Sequence, residues 1–201
     1  WTSSAEFYDL NNKTYVAWCW DAGSSTVTNT DGTISSQVRA SQTSGVSIVK
    51  YTGNGSSSAT VGHGLNAQLK MLIHKRLDDV GSWKIKHTSL STNHQLLFDT
   101  AASVDVTGNH GGGMADLSSS STFGFAQGLT NVDNVNGNGP SYINICFSEI
   151  PGFSAFGSYT GNGSSDGVYV HTGFRPALVL QKRSDSAGHE WSIHDSTREP
   201  S

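Results

Sequence analysis

The sequence predicts an all-β chain built from antiparallel β-sandwich modules of the jelly-roll or lectin-like kind, internally duplicated. Three observations predict it. The string Tyr51-Thr52-Gly53-Asn54-Gly55-Ser56-Ser57 returns letter for letter as Tyr159-Thr160-Gly161-Asn162-Gly163-Ser164-Ser165, 108 positions later. That period is too long for a solenoid repeat and suits a small domain. The composition is poor in helix formers: the 201 residues hold four Glu and seven Lys against 23 Gly, which favours short strands joined by Gly, Asn and Ser turns. Between those turns lie apolar or alternating runs of strand length.

Taken in order, Ala5–Leu10 reads as a strand that ends at the Asn11-Asn12 turn. The run Thr14–Trp20 is apolar on both faces, which predicts a strand covered on both sides. Residues 23–45 are rich in Gly, Ser and Thr and read as an extended connector with little core of its own. Strands follow at Val46–Tyr51, Ala59–Leu65 and Leu69–Lys75. Trp83–His87 alternates, so Trp83 and Ile85 should face one way and Lys84 and Lys86 the other. His94–Thr100 is a further strand, and the glycine-rich stretch within 101–121 reads as an exposed loop. Thr122–Leu129 resumes a strand, 131–139 is a second Asn/Gly loop, and Ser141–Ile150 is another buried strand.

The module then restarts. Phe153–Tyr159 answers to Val46–Tyr51, His171 to His63, Lys182-Arg183 to Lys75-Arg76, Trp191 to Trp83, and Ile193 to Ile85. At the other end, Tyr15–Trp20 answers to Tyr142–Phe147. The expected organisation is therefore 1–22 as the tail of one module, 23–45 as connector, 46–150 as a complete sandwich, and 151–201 as the head of another. Residues 1–22 and 151–197 are expected to pair and rebuild one sandwich, because neither fragment can cover a sheet face alone. The start at Trp1, without an initiator Met, predicts a piece of a longer polypeptide.

A net charge of −4 offers no basic field for a nucleic acid backbone. No run approaches the roughly 20 apolar residues of a membrane helix. Cys19 and Cys146 sit in apolar runs and read as buried free thiols. No catalytic, cofactor or metal site is expected. Asp78 and Asp79 share a turn, and Glu190 and Asp195 diverge along a strand, so neither pair suits a glycosidase. The eight His are scattered, and the Asp133–Gly139 loop begins like a calcium loop but lacks the later acidic ligands. Gly163-Ser164-Ser165-Asp166-Gly167 spells a nucleophile elbow, yet a strand pattern follows it where an elbow needs a helix. Trp83 and Trp191 read as core. The polar loops offer Asn109, His110, Asn134 and Asn136 as contacts for a receptor or glycan.

Three strings, YVAWCWDAG with TNTDGTISSQVRA, SIVKYTGNGSSSATVGHGL, and GFSAFGSYTGNGSSDGVYVHTGFRPALVLQKRSD, resemble a family of virion or tail-fibre-like proteins encoded by marine bacteriophages, including cyanophages. The resemblance spans almost the whole chain and misses loop 107–121. It implies a non-enzymatic structural role at the virion surface, in a tail fibre, spike or capsid decoration that serves host attachment. It implies copies of the same chain, a homotrimer by preference, and other virion proteins as partners, with a host surface glycan as a further ligand. It supplies no cofactor and no catalytic residue. A lectin-like glycan-binding module is the alternative, and a polysaccharide depolymerase the third reading.

Overall fold

Alternation of Val, Ile and Tyr with polar residues, broken by Gly, Asn and Ser turns, folds the chain into strands in this order: β1 (Val27–Asn29), β2 (Ser36–Ser41), β3 (Val46–Thr52), β4 (Thr60–Gly62), β5 (Leu69–Arg76), β6 (Lys84–His87), β7 (His94–Leu97), β8 (Asp105–Val106), β9 (Thr122–Gly124), the short helix α1 (Asp133–Asn136), β10 (Ser141–Ser148), β11 (Leu178–Gln181) and β12 (Ser192–Asp195). The computed structural model describes residues 12, 14–92, 94–98, 101, 105–106, 113, 116–125 and 133–198, without the side chains of 105, 106, 133 and 134.

The architecture is an all-β, antiparallel β-sandwich. Its large layer is one sheet in the order β1-β2-β3-β10-β5-β6-β7-β8. The run at 141–148 is apolar on both faces because it is central: β10 pairs with β3 (Tyr142 opposite Tyr51) and with β5 (Tyr142 opposite Arg76). The second layer is the ribbon β4-β9 with the chain around it. Between them Val38, Val49, Tyr51, Val61, Leu69, Leu72, Leu117, Phe123, Phe125, Val135, Tyr142 and Cys146 form the main core. Tyr51 lies at its centre, stacked on Tyr142 at 5.2 Å and tilted against Phe125 at 6.0 Å.

The other face of the sheet is also apolar. Val46 and Phe147 form a smaller cluster with Ala22, and Met71, Ile73, Ile145 and Phe156 pack against it. Trp20 meets Phe147 edge-on at 6.0 Å. The Trp191 indole donates to the Leu97 carbonyl at 2.9 Å. Phe156 and Trp20 thus lie over this outer face, and Trp191 meets β7.

Three expectations are corrected, and the sense of the β6 alternation, which the sequence left open, is supplied. Residues 23–45 are not a connector, since they supply β1 and β2; Ser36, Val38 and Ile34 are buried, and hydroxyls of the kind that suggest a loop, such as that of Ser36, bind backbone instead. Thr14–Trp20 is extended, exposed throughout and in no ladder, because the strands that cover its counterpart β10 are not beside it. Lys84 and Lys86 point inward and are buried. The Lys86 ammonium donates to the carbonyls of Ser91, Thr92 and His94 at 2.6, 3.0 and 2.9 Å, closing the β6–β7 turn over its buried stem. Trp83 is half-exposed rather than core. The expected strand Ala5–Leu10 lies outside the described residues.

Candidate functional site

The repeated string forms a tight loop, and its two copies have the same backbone and opposite surroundings. In both, an Asn side-chain oxygen accepts from the amide two residues on: Ser56 to Asn54 at 3.0 Å, and Ser164 to Asn162 at 3.0 Å. Gly55 and Gly163 both take left-handed backbone, at φ +76° and +71°. The first loop is sealed. Asn136 donates to the Asn54 side chain at 2.9 Å and to the Ser56 carbonyl at 2.7 Å, and accepts from the Asn54 amide at 3.2 Å. A Cβ on Gly53 would lie 2.1 Å from the Gly137 carbonyl, whereas one on Gly161 would meet nothing within 4 Å.

The hairpins repeat as well. In β5–β6, Met71 faces His87 and Ile73 faces Ile85; in β11–β12, Leu178 faces Asp195 and Leu180 faces Ile193. These pairs correspond at offsets of 107 and 108 residues, so the register is identical. The turn chemistry repeats too: Arg76 Nε binds Asp78 at 2.8 Å and Arg183 Nε binds Asp185 at 2.6 Å. The Lys75 and Lys182 ammonium groups bind the carbonyls of Gly81 and His189 in the same way.

What differs is cover. Tyr51 is 3% exposed and its counterpart Tyr159 is 56%; Leu72 is 0% and its counterpart Val179 is 41%. A shallow groove lined by Arg175, Pro176, Ala177, Val179, His194 and Asp195 runs along the hairpin on the side that the first copy fills with core. Tyr51 and His74 clamp the Tyr142 ring between them, stacked at 5.2 and 5.3 Å. Their counterparts Tyr159 and Gln181 instead bond to each other at 3.1 Å. Of the first copy's ladders the second repeats only the β5–β6 hairpin, and the counterpart of β10 is absent from 151–201.

The shifted titratable groups trace to burial or to local ion pairs and turn hydrogen bonds. Burial pushes the His63 imidazole down to about 4, and its Nδ1 accepts the Leu65 amide at 3.3 Å. Burial lowers Lys86 to about 8 and raises the Cys146 thiol to about 12. Burial raises the Tyr51 phenol, whose hydroxyl donates to the Val135 carbonyl. Asp195 is held low by the Arg198 amide and guanidinium. Asp78 and Asp79 are both turned to Arg76, at 2.8 and 3.8 Å. Ser164 of the elbow-like string accepts the Asp166 amide on its hydroxyl at 3.2 Å and the Gly167 amide on its carbonyl at 3.0 Å, as a turn residue does. Among the described residues no three His, Cys, Asp or Glu side chains are grouped to hold a metal ion. Cys146 is buried, but Cys19, expected to be so, is exposed; the two are unbonded.

Of the expected receptor contacts, Asn136 is fully buried and its amide is consumed by the loop, so it is corrected to a structural residue. The cause is α1, a helical turn where a loose loop was expected, which carries Asn136 under the repeat string. Asn109, His110 and the Asn134 side chain lie outside the described residues. His171, equivalent to buried His63, is exposed beside the Tyr169 hydroxyl at 3.5 Å.

A family model described as "Domain of unknown function (DUF7483)" matches residues 2–201. The chain belongs to this family. No curated protein and no solved structure matches it. The match spans both copies of the repeated string. The exposed residues that sequence reasoning missed, Tyr159, Tyr169 and Val179, were findable: the counterpart of β10 does not recur between 151 and 201.

Proposed function

We propose that this DUF7483 chain is a non-enzymatic structural and adhesion module of a bacteriophage virion, part of a tail fibre, spike or capsid decoration at the particle surface. The observation that carries the reading is the pairing of one closed module with an open copy of itself, an arrangement suited to building arrays. Its partners are then copies of itself, as a trimer, and neighbouring virion proteins. The resemblance of the repeat strings to virion proteins supports the same placement. The test is mass spectrometry of purified phage particles whose genome encodes the chain. Stoichiometric recovery from particles is expected; recovery from the infected-cell lysate but not from particles overturns the reading.

A second reading, glycan binding for host attachment, is favoured by one feature. Tyr169 is 86% exposed, beside His171 and the polar 161–167 turn, and an open aromatic next to hydroxyl and amide groups suits a sugar face. A glycan array probed with the purified chain tests it. Signal that is lost in Tyr169→Ala is expected, and signal indifferent to that change excludes the site.

A further inference from the structure

We infer that the open second module is completed by a strand from another copy of this chain, namely Tyr15–Trp20 inserted between Phe153–Tyr159 and Leu178–Gln181. The inference rests on the assembly reading above but not on placement in a virion.

Complementarity in sequence and register carries it. In the closed module the slot between β3 and β5 holds β10. Tyr15-Val16-Ala17-Trp18-Cys19-Trp20 aligns without a gap with Tyr142-Ile143-Asn144-Ile145-Cys146-Phe147 of β10, with Tyr and Cys identical and Val/Ile and Trp/Phe alike. The edges of the open slot match β3 and β5, and the β11–β12 hairpin already has the β5–β6 register. Transposing the pairs Cys146–Ser47 and Cys146–Leu72 puts Cys19 of one copy opposite Ala155 and Val179 of another. Tyr15 then takes the place of Tyr142, between Tyr159 and Gln181. Residues 14–20 are exposed and in no ladder, with Trp18 and Trp20 among the exposed aromatics, and Tyr159 and Val179 at the edges of the slot are exposed as well.

Its own copy holds this segment elsewhere. Trp20 sits on Phe147, the Asp21 carbonyl accepts the Ser44 hydroxyl at 2.5 Å, and Trp18 lies under the Arg198 guanidinium at 5.2 Å, beyond the end of β12. An apolar segment outside any ladder is a donor, and the free β11 edge of the hairpin, with Phe153–Tyr159 beside it in no ladder, is an acceptor; joining them supplies two ladders and a core row at once. Repetition of a head-to-tail contact gives rings or filaments, and reciprocal exchange gives a closed pair.

The register makes the test specific. Ala155→Cys is an exposed substitution that should form a disulfide with the natural Cys19 of a second copy under mild diamide oxidation. Ser158→Cys, opposite Val16, should do so at least about tenfold less, because facing residues alternate along strands. Mixing light and ¹⁵N-labelled chains and mapping the linked peptides shows whether both halves come from different copies. For the Ala155→Cys variant, a mixed-isotope peptide that joins Cys19 to the thiol introduced at position 155 is expected. A link of that kind confined to single chains, equal linking at positions 155 and 158, or no link overturns the proposal. Should Ala155→Cys fail to fold, Val179→Cys probes the other edge of the slot with the same outcomes. Loss of this link leaves recovery from virions unaffected, so the two readings fail separately.

Discussion

At the scale of single residues, polar side chains that the sequence offers for recognition are used by the core. Asn136 is buried, with three side-chain hydrogen bonds to the Asn54–Ser56 loop. Asn136→Ala strands the Asn54 amide and leaves the Ser56 carbonyl only its bond from the Ala59 amide, and we expect a loss of about 1–3 kcal/mol in urea unfolding. His63 sets an acid limit. Its folded value, about 4, lies below the ordinary 6.5 because burial disfavours the charged ring. Between pH 6.5 and 4 the unfolded chain takes up a proton that the folded chain refuses, so stability falls as pH drops through this window, and the His63 contribution levels off below it. The total loss is about 3 kcal/mol. His87, also lowered by burial, adds in the same direction. His63→Gln should flatten most of the slope in denaturation midpoints measured across that window; an unchanged slope would show that His63 is not its source.

Among the elements, the same seven residues form the same turn twice, but only one copy is packed. Gly53 lies against the Gly137 carbonyl and the Tyr142 ring, while Gly161 has open space around it. Gly53→Ala should therefore cost about 1–3 kcal/mol, through overpacking, in a thermal or urea melt. Gly161→Ala should leave the isolated chain unchanged. If strand exchange buries the second loop, Gly161→Ala should weaken assembly while sparing the monomer. The paired hairpins make the same point: β5–β6 and β11–β12 share register and turn ion pairs, yet only the former is flanked by β10. Local sequence sets a hairpin's register, and neighbours decide whether it is buried.

Across the whole molecule, these contrasts predict two tiers of stability. Amides of β3, β5 and β10 sit in the middle of an eight-stranded sheet over the main core, and should exchange with deuterium only through global unfolding. Residues 155–171 are largely exposed and outside any ladder, and their amides should exchange on the order of a hundredfold faster or more in the monomer. Uniform protection across both regions at low concentration would contradict an open second module.

The all-β class, the duplication and the strands β3 to β7 are legible in the chain itself, because alternation, β-branched residues and Gly/Asn turns act within a few positions. The equivalence of Tyr15–Trp20 with β10 is legible there too. Three features emerge only once the chain is folded: residues 27–41 join the sheet, Lys84 and Lys86 face inward, and Asn136 closes a loop rather than meeting a receptor. Each depends on partners distant in sequence or outside the pattern of its own strand: Gln37 on Thr28 and Lys50, Lys86 on the carbonyls of the next turn, Asn136 on a loop 82 residues away. Burial is a property of neighbours, and a run such as Tyr15–Trp20, apolar enough for the centre of a sheet, stays exposed until strands arrive to flank it.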